Sequence, residues 1–237
     1  MWTNLGDVGD QPAAIQALIL DLDGLLIDSE RWSWEAHDRV LTSFGAPPLS
    51  LDEVRSLVGL EGATEWVAFS FLRSLPIARA AYGEAHAAAF IAIRDERLAP
   101  LPGVLDLLDA AERLGLPVGL ASNSGPESIE AALIGIGVRD RFATVASGQE
   151  VAHGKPSPDV YLLALRRLGL LAEHALAVED SAVGLAAARA AGLRCAVVPN
   201  WITLALDFSG AWLRFPDLGT LARRLPDIAL SASERGL

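Results

Sequence analysis

IQALILDLDG, residues 15–24, is the stretch from which the rest of the chain can be read. Its first part, Ile15–Leu20, is a short apolar run that ends on Asp21. That length and composition predict a strand buried on both faces, as in a parallel sheet. Downstream of Pro100-Leu101-Pro102-Gly103 the chain alternates. Helices are expected over Val104–Leu114, Glu127–Ile134, Pro158–Leu168 and Ala182–Ala191. Strands are expected over Pro117–Ala121, Phe142–Ala146, Ala175–Val178 and Cys195–Val198. Alternation of this kind, with right-handed crossovers, predicts an α/β fold with a doubly wound parallel sheet.

Between the first strand and that alternation the rhythm is different. From Ser29 to about Leu98 apolar residues recur at helical spacing, with Trp32, His37, Val40, Leu41 and Phe44 on one face. Gly45-Ala46-Pro47-Pro48 breaks the pattern, and Ser50 with Glu53 predicts a capping box opening a helix to Leu57. Further helices are expected near 62–75 and 77–97. The chain is therefore expected to have a loosely held leader (1–14), a core domain (15–28 plus 99–237) and an inserted helical-bundle cap (29–98).

Composition narrows the function. Hydrophobic residues make up 51% of the 237, enough to offset chain entropy and exclude disorder over most of the length. The formal net charge of −11 argues against nucleic acid and against anionic membranes as partners. No apolar run approaches the roughly 18 residues that span a bilayer. Cys195 is the only cysteine, which excludes an internal disulfide, makes a zinc cluster implausible, and reads as core. Met1–Gln11 lacks the basic and apolar regions of a signal peptide, so a cytoplasmic location is expected.

Ligands of such a sheet bind beyond the carboxyl ends of its strands. Asp21 and Asp23 follow the first strand, and Ser122 and Asn123 the second. Lys155 precedes the Pro158 helix, while Glu179 and Asp180 follow the Ala175–Val178 strand. Each alone is ordinary turn or cap chemistry. Together they suit phosphoryl transfer. A phosphate monoester repels carboxylates unless a hard cation such as Mg²⁺ sits among oxygen ligands. Amine and hydroxyl groups clamp the remaining phosphoryl oxygens. One carboxylate can then attack phosphorus, and another can protonate the leaving oxygen.

DLDGLLIDSE (21–30), ASNS (121–124), GKPSPDVYLLA (154–164) and VEDSAVGLAAARAAG (178–192) occur in this order. In these stretches the chain resembles haloacid dehalogenase-superfamily phosphatases that carry a helical cap after the first strand. The resemblance implies Asp21 as nucleophile and metal ligand. Asp23 is implied as general acid/base, giving its main-chain carbonyl to the metal. Ser122, Asn123 and Lys155 are implied to bind the phosphoryl group, with Asp180 and Glu179 ligating Mg²⁺, Glu179 directly or through water. Asp23 favours a phosphate ester over a haloacid.

Sugar-phosphate phosphatases and β-phosphoglucomutase share these stretches. The mutases carry a histidine where this chain has Ser33, and a basic pair where Leu57–Gly62 supplies Val58 and Gly62. Gly59 and Glu61 lie in that substrate loop, and Glu61 adds negative charge. The expectation is a Mg²⁺-dependent phosphatase of small sugar or polyol phosphates, acting through an aspartyl-phosphate. The alternatives are a β-phosphoglucomutase-like phosphomutase and a non-catalytic binding module. Trp32 and Trp34 either wall the sugar or pack in the cap. His37, His86, His153 and His174 read as scattered, with His153 the one placed to reach the site. Arg55 either meets an anionic substrate or pairs with Asp52, and Asn200 and Trp201 either line the rim or turn the chain. A monomer or weak dimer is expected.

Overall fold

The computed structural model describes residues 13–57 and 78–229. β1 (Ala17–Leu20), β2 (Val118–Ser122), β3 (Thr144–Ser147), β4 (Ala175–Glu179), β5 (Arg194–Val197) and β6 (Leu213–Arg214) form one sheet. Their order is β3-β2-β1-β4-β5-β6, with every pairing parallel. Ile19 lies between Gly119 and Ala177, so the apolar run at residues 17–20 is the middle of the sheet.

The run is continuous rather than alternating because both faces are covered. Leu18 and Leu20 join one apolar cluster with α4 (Val104–Arg113), α5 (Pro126–Gly135) and α8 (Leu218–Ala229). Ala17 and Ile19 join another, with α6 (Asp159–Leu168) and α7 (Ala182–Ala190). The helices start where local chemistry allows. Pro126 occupies the first turn of α5, and the Ser181 hydroxyl caps α7 by accepting from Gly184 N at 3.0 Å.

After β1 the chain runs through α1 (Ser29–Ser43), α2 (Leu51–Leu57) and, beyond the undescribed stretch, α3 (Arg79–Arg97). The expected capping box is present: Ser50 N donates to Glu53 Oε2 at 2.9 Å, and Glu53 N donates to Ser50 Oγ at 3.3 Å. Val40, Leu41, Leu49, Val54 and Tyr82 form a third apolar cluster, which takes in Ile202 from beyond β5. The two connections to the sheet are tied together where Leu101 N donates to Leu26 O at 2.8 Å.

The fold class stands, and the ends of the described elements move by at most two residues. β6 and α8 lie past Val198, where no element was expected. α8 is amphipathic, burying Leu218, Leu221, Ala222, Leu225 and Ala229, and Asp217 Oδ1 accepts from Thr220 N at 2.6 Å at its start. The helix expected near 62–75, the loop with Gly59 and Glu61, and most of the expected leader lie outside the described residues. Among the described residues no helix is long and apolar enough to cross a membrane.

Candidate active site

β1 is the point at which the strand order reverses, since β2 and β3 extend to one side of it and β4, β5 and β6 to the other. A crevice is expected at the carboxyl edge of such a switch point. Asp21 stands there, with its N–H donating to Val178 O at 3.0 Å as the ladder ends. β4 ends beside it, and Asp21, Glu179 and Asp180 each offer an oxygen within 4.8 Å of the others. All three are buried.

Every acidic group here is held. Lys155 Nζ donates to Asp21 Oδ1 at 2.5 Å and to Glu179 Oε1 at 2.6 Å. The Tyr161 hydroxyl also donates to Glu179 Oε1, at 2.6 Å, and Ser181 Oγ donates to its other oxygen at 3.2 Å. Asn200 Nδ2 donates to Asp180 Oδ2 at 2.8 Å and to Gly24 O at 3.2 Å. Asp23 Oδ2 accepts from Ser124 Oγ at 2.7 Å and from Ser122 Oγ at 3.2 Å. The Asn123 amide clasps the Lys155 main chain, accepting from its N–H at 2.7 Å and donating to its carbonyl at 3.2 Å.

Two glycines make room for this packing. Gly24 has φ +76°, and a Cβ there would stand 2.5 Å from Asp180 Oδ2. A Cβ on Gly184 would stand 1.9 Å from the Glu179 carboxyl, so the bare face of α7 is what admits that side chain.

The electrostatics record a shortage of positive charge. Burial, opposed by Lys155 and reinforced by Glu179 and Asp23, pushes the Asp21 carboxyl up to about 8. Burial, then Asp21, Glu179 and Glu30, raises Asp180 well above the carboxylate range. Burial pulls the Lys155 ammonium down, but Asp21 and Glu179 outweigh it and hold the lysine charged. Both partners thus shift upward: the lysine is secured in its charged form by its carboxylates, while the carboxylates outnumber it. A cluster of hard oxygen donors with surplus negative charge fits a divalent cation such as Mg²⁺. Asp21 and Asp180 are the residues that would hold it, with Glu179 adjacent.

A cavity of about 480 Å³ opens over these groups. The sheet edge gives it Asp21, Asp23, Ser122, Asn123, Lys155 and Asp180. The helices and the loop after β5 complete it, with Trp34 among them; this indole stacks on Trp201 at 5.2 Å between centroids. Trp34 Nε1 is buried without a hydrogen-bond partner among the described residues. Trp32 is only 3% exposed, meets Phe90 edge-on at 6.2 Å, and does not line the cavity. It is a core residue, because the first turn of α1 lies against the sheet cluster.

The histidines are not scattered as the spacing suggests. His37 and His86 stack with ring centroids 4.1 Å apart, and His37 lines the cavity. His153 is the exposed one, 3.6 Å from Asp159 and away from the cavity. Arg55 pairs with Asp52 at 3.7 Å on the surface, and Cys195 is buried in the sheet. Tyr161, Ser124 and Gly184 escape sequence reasoning as members of the site, and Asn200, read as lining the rim or turning the chain, holds Asp180. The first three lie inside the quoted motifs, and Asn200 is placed only by following the β5 strand.

Comparison with known proteins agrees with this geometry. Residues 15–192 match the family model described as haloacid dehalogenase-like hydrolase. Protein CbbY of Cereibacter sphaeroides is 36% identical over 221 residues, 88% of this chain and 96% of that protein. Hexitol phosphatase B of Escherichia coli is 35% identical over 191 residues, 79% of this chain and 85% of that protein. The crystal structure of CbbY from Rhodobacter sphaeroides in complex with phosphate superposes with a TM-score of 0.73 at 33% identity, over 87% of this chain and 96% of that one. A mutant of that CbbY has been crystallised with xylulose-(1,5)bisphosphate. A parallel sheet with an acidic cluster at its switch point, a family match over most of the chain and relatives of this similarity together place the chain in the haloacid dehalogenase-like hydrolase family.

Proposed function

We propose that the protein is a Mg²⁺-dependent phosphatase of small sugar or polyol phosphomonoesters, working through an aspartyl-phosphate. The observation that carries this reading is the convergence of Asp21, Glu179 and Asp180 within 4.8 Å of one another, with the Lys155 ammonium bridging the first two. A divalent cation bound there supplies charge neutralisation and aligns the phosphoryl oxygens.

In this reading an Asp21 oxygen attacks phosphorus, and the bond from phosphorus to the ester oxygen breaks. Asp23 gives its proton to that departing oxygen. Its carboxylate then takes a proton from water as the water oxygen attacks the aspartyl-phosphate. Phosphate leaves, Asp21 is regenerated and Asp23 is again protonated. Ser122 and Ser124 hold Asp23 by hydrogen bonds to one carboxyl oxygen. Lys155 keeps Asp21 oriented and screens its charge as the phosphoryl group arrives. Asn123 sets the Lys155 backbone with its side-chain amide and, with Ser122 and Lys155, binds the transferring phosphoryl group.

Residues 29–98 act as a cap on a core of 15–28 plus 99–237, with hinges near Ile27–Asp28 and Leu98–Pro102. Closure excludes water and opening releases product. The Leu101–Leu26 hydrogen bond between the two connections supports hinges at those places. The single cysteine, unpaired and buried, supports a reducing, cytoplasmic location; a monomer or weak dimer completes the proposal.

Asp21→Asn tests the reading. With Mg²⁺ and a panel of sugar, polyol and glycolate phosphates, the wild type should release phosphate and the variant should lose at least about a thousandfold, as expected when a nucleophile is removed. Wild-type turnover by the variant ends the nucleophile assignment. Isomerised sugar phosphate without free phosphate assigns a mutase instead.

A further inference from the structure

The part of the cavity contributed by the helices carries chemistry that the phosphoryl transfer leaves unused. It includes Ser33, Trp34 and His37 from α1, Leu49 and Val54 before and within α2, and Phe90 from α3. Four of these six are aromatic or aliphatic, Ser33 adds a hydroxyl, and His37 is the titratable one among the six. His37 Nδ1 lies 2.7 Å from the Tyr82 hydroxyl, and its ring packs on His86. Burial, then the neighbouring His86, lowers the His37 pKa to about 3, so the imidazole is neutral. His86 Nε2 is itself 3.2 Å from the Ser33 carbonyl, to which it donates. This surface offers aromatic faces, a hydroxyl and an uncharged ring.

Formal charge nearby is negative. Glu30 also lines the cavity, and its charge adds to the rise of the Asp180 pKa. Among the described residues that line the cavity, Lys155 is the only lysine or arginine, and Asp21 and Glu179 already engage it. Arg31 turns outward to Asp28 at 3.1 Å and lies over the Trp201 ring.

We infer that these helical residues form a leaving-group subsite for an uncharged, hydroxylated group with an apolar face, so that the substrate is a monophosphate and a second phosphate on the same skeleton is disfavoured. The inference rests on the phosphatase reading and narrows it. A second phosphate brings nearly two negative charges into a wall that supplies neither guanidinium nor ammonium among the described residues. It would be desolvated without compensation and repelled by Glu30. An apolar and aromatic lining instead favours a sugar or polyol, whose C–H face stacks on an indole while its hydroxyls reach Ser33 and His37. The relative crystallised with a bisphosphate is thus expected to differ from this chain in substrate despite their similarity.

The test compares a hexose monophosphate with the bisphosphate of the same hexose, using the full chain with Mg²⁺ and following phosphate release. The expected result is a kcat/KM at least about tenfold higher for the monophosphate, the scale set by uncompensated like charge. Calorimetric binding to Asp21→Asn should rank the two ligands the same way without turnover. Ser33→Lys, which adds an ammonium to the wall, should narrow the ratio. Equal or better use of the bisphosphate by the wild type overturns this inference and leaves the phosphatase reading standing. No release from any ester, p-nitrophenyl phosphate included, overturns both.

Discussion

The cavity has two kinds of wall. At the sheet edge, four carboxylates, an ammonium and four hydroxyls are fixed by contacts of 2.5 to 3.2 Å, and the Glu179 carboxyl has no exposure at all. On the helical side the contacts are ring on ring and methyl on methyl, and the His37 imidazole is held neutral. The sheet edge takes its precision from strand register, which leaves each side chain one direction to point. The helical side takes its form from packing, which tolerates exchange of one apolar group for another of similar volume. Chemistry common to a family suits the first wall, and choice of leaving group suits the second.

The largest effect that sharpens this contrast is expected from Lys155→Met. Two buried carboxylates would lose their common cation, and breaking a buried pair from one side costs about 3–5 kcal/mol. Urea unfolding at neutral pH without added metal should show it, and a loss below about 1 kcal/mol would mean that the sheet edge is less tightly coupled than its distances indicate.

A paired glycine experiment comes next. Gly184→Ala drives a methyl into the Glu179 carboxyl and should cost about 1–3 kcal/mol by overpacking. Gly83→Ala, inside α3 with nothing within 4 Å of the added carbon, should instead stabilise by about 0.5–1 kcal/mol through helix propensity. Thermal unfolding of both variants reads the signs, and the same sign for both would break the comparison.

The smallest effects concern pH, where the walls should respond in opposite directions. Unfolded His37 takes a proton near 6.5, whereas the folded ring does not until about 3. Its contribution is therefore whole above about 6.5 and drains away as pH falls. Asp21 is the reverse. Its carboxyl, raised to about 8 when folded, contributes below its unfolded value of 3.8, and that contribution is lost as pH rises through 8. In metal-free buffer, the melting temperature of His37→Phe should fall less than that of the wild type on acidification, and Asp21→Asn should gain on the wild type toward pH 8. Parallel profiles for all three proteins would remove the distinction.

Much of the sheet edge is legible in the sequence because strand ends and motif order place it. Asp21, Asp23, Ser122, Asn123, Lys155 and Asp180 lie on one cavity, as their positions after predicted strands suggest. The helical side is less legible. Trp32 and Trp34 are two residues apart, yet one faces the sheet core and the other the cavity, a difference set by how α1 docks and not by residue type. His37 and His86 look unrelated because 48 residues intervene between them, and only the packing of α1 on α3 joins them. α8 is a different case. Its apolar residues stand at 218, 221, 222, 225 and 229, a readable helical stripe, but Pro226 interrupts the expected pattern.

The loop after β5 gives the two walls a common fastening. Asn200 grips Asp180, while the next residue, Trp201, lies flat on Trp34 and Ile202 enters the helical cluster. One peptide unit thus separates the grip on an acidic ligand from the indole that backs the selective surface. Evolution toward a different alcohol cannot simply repaint that surface: a replacement that shifts Trp34 pulls on the anchor of the reaction centre, so broader taste and full turnover trade against each other through a single step of backbone.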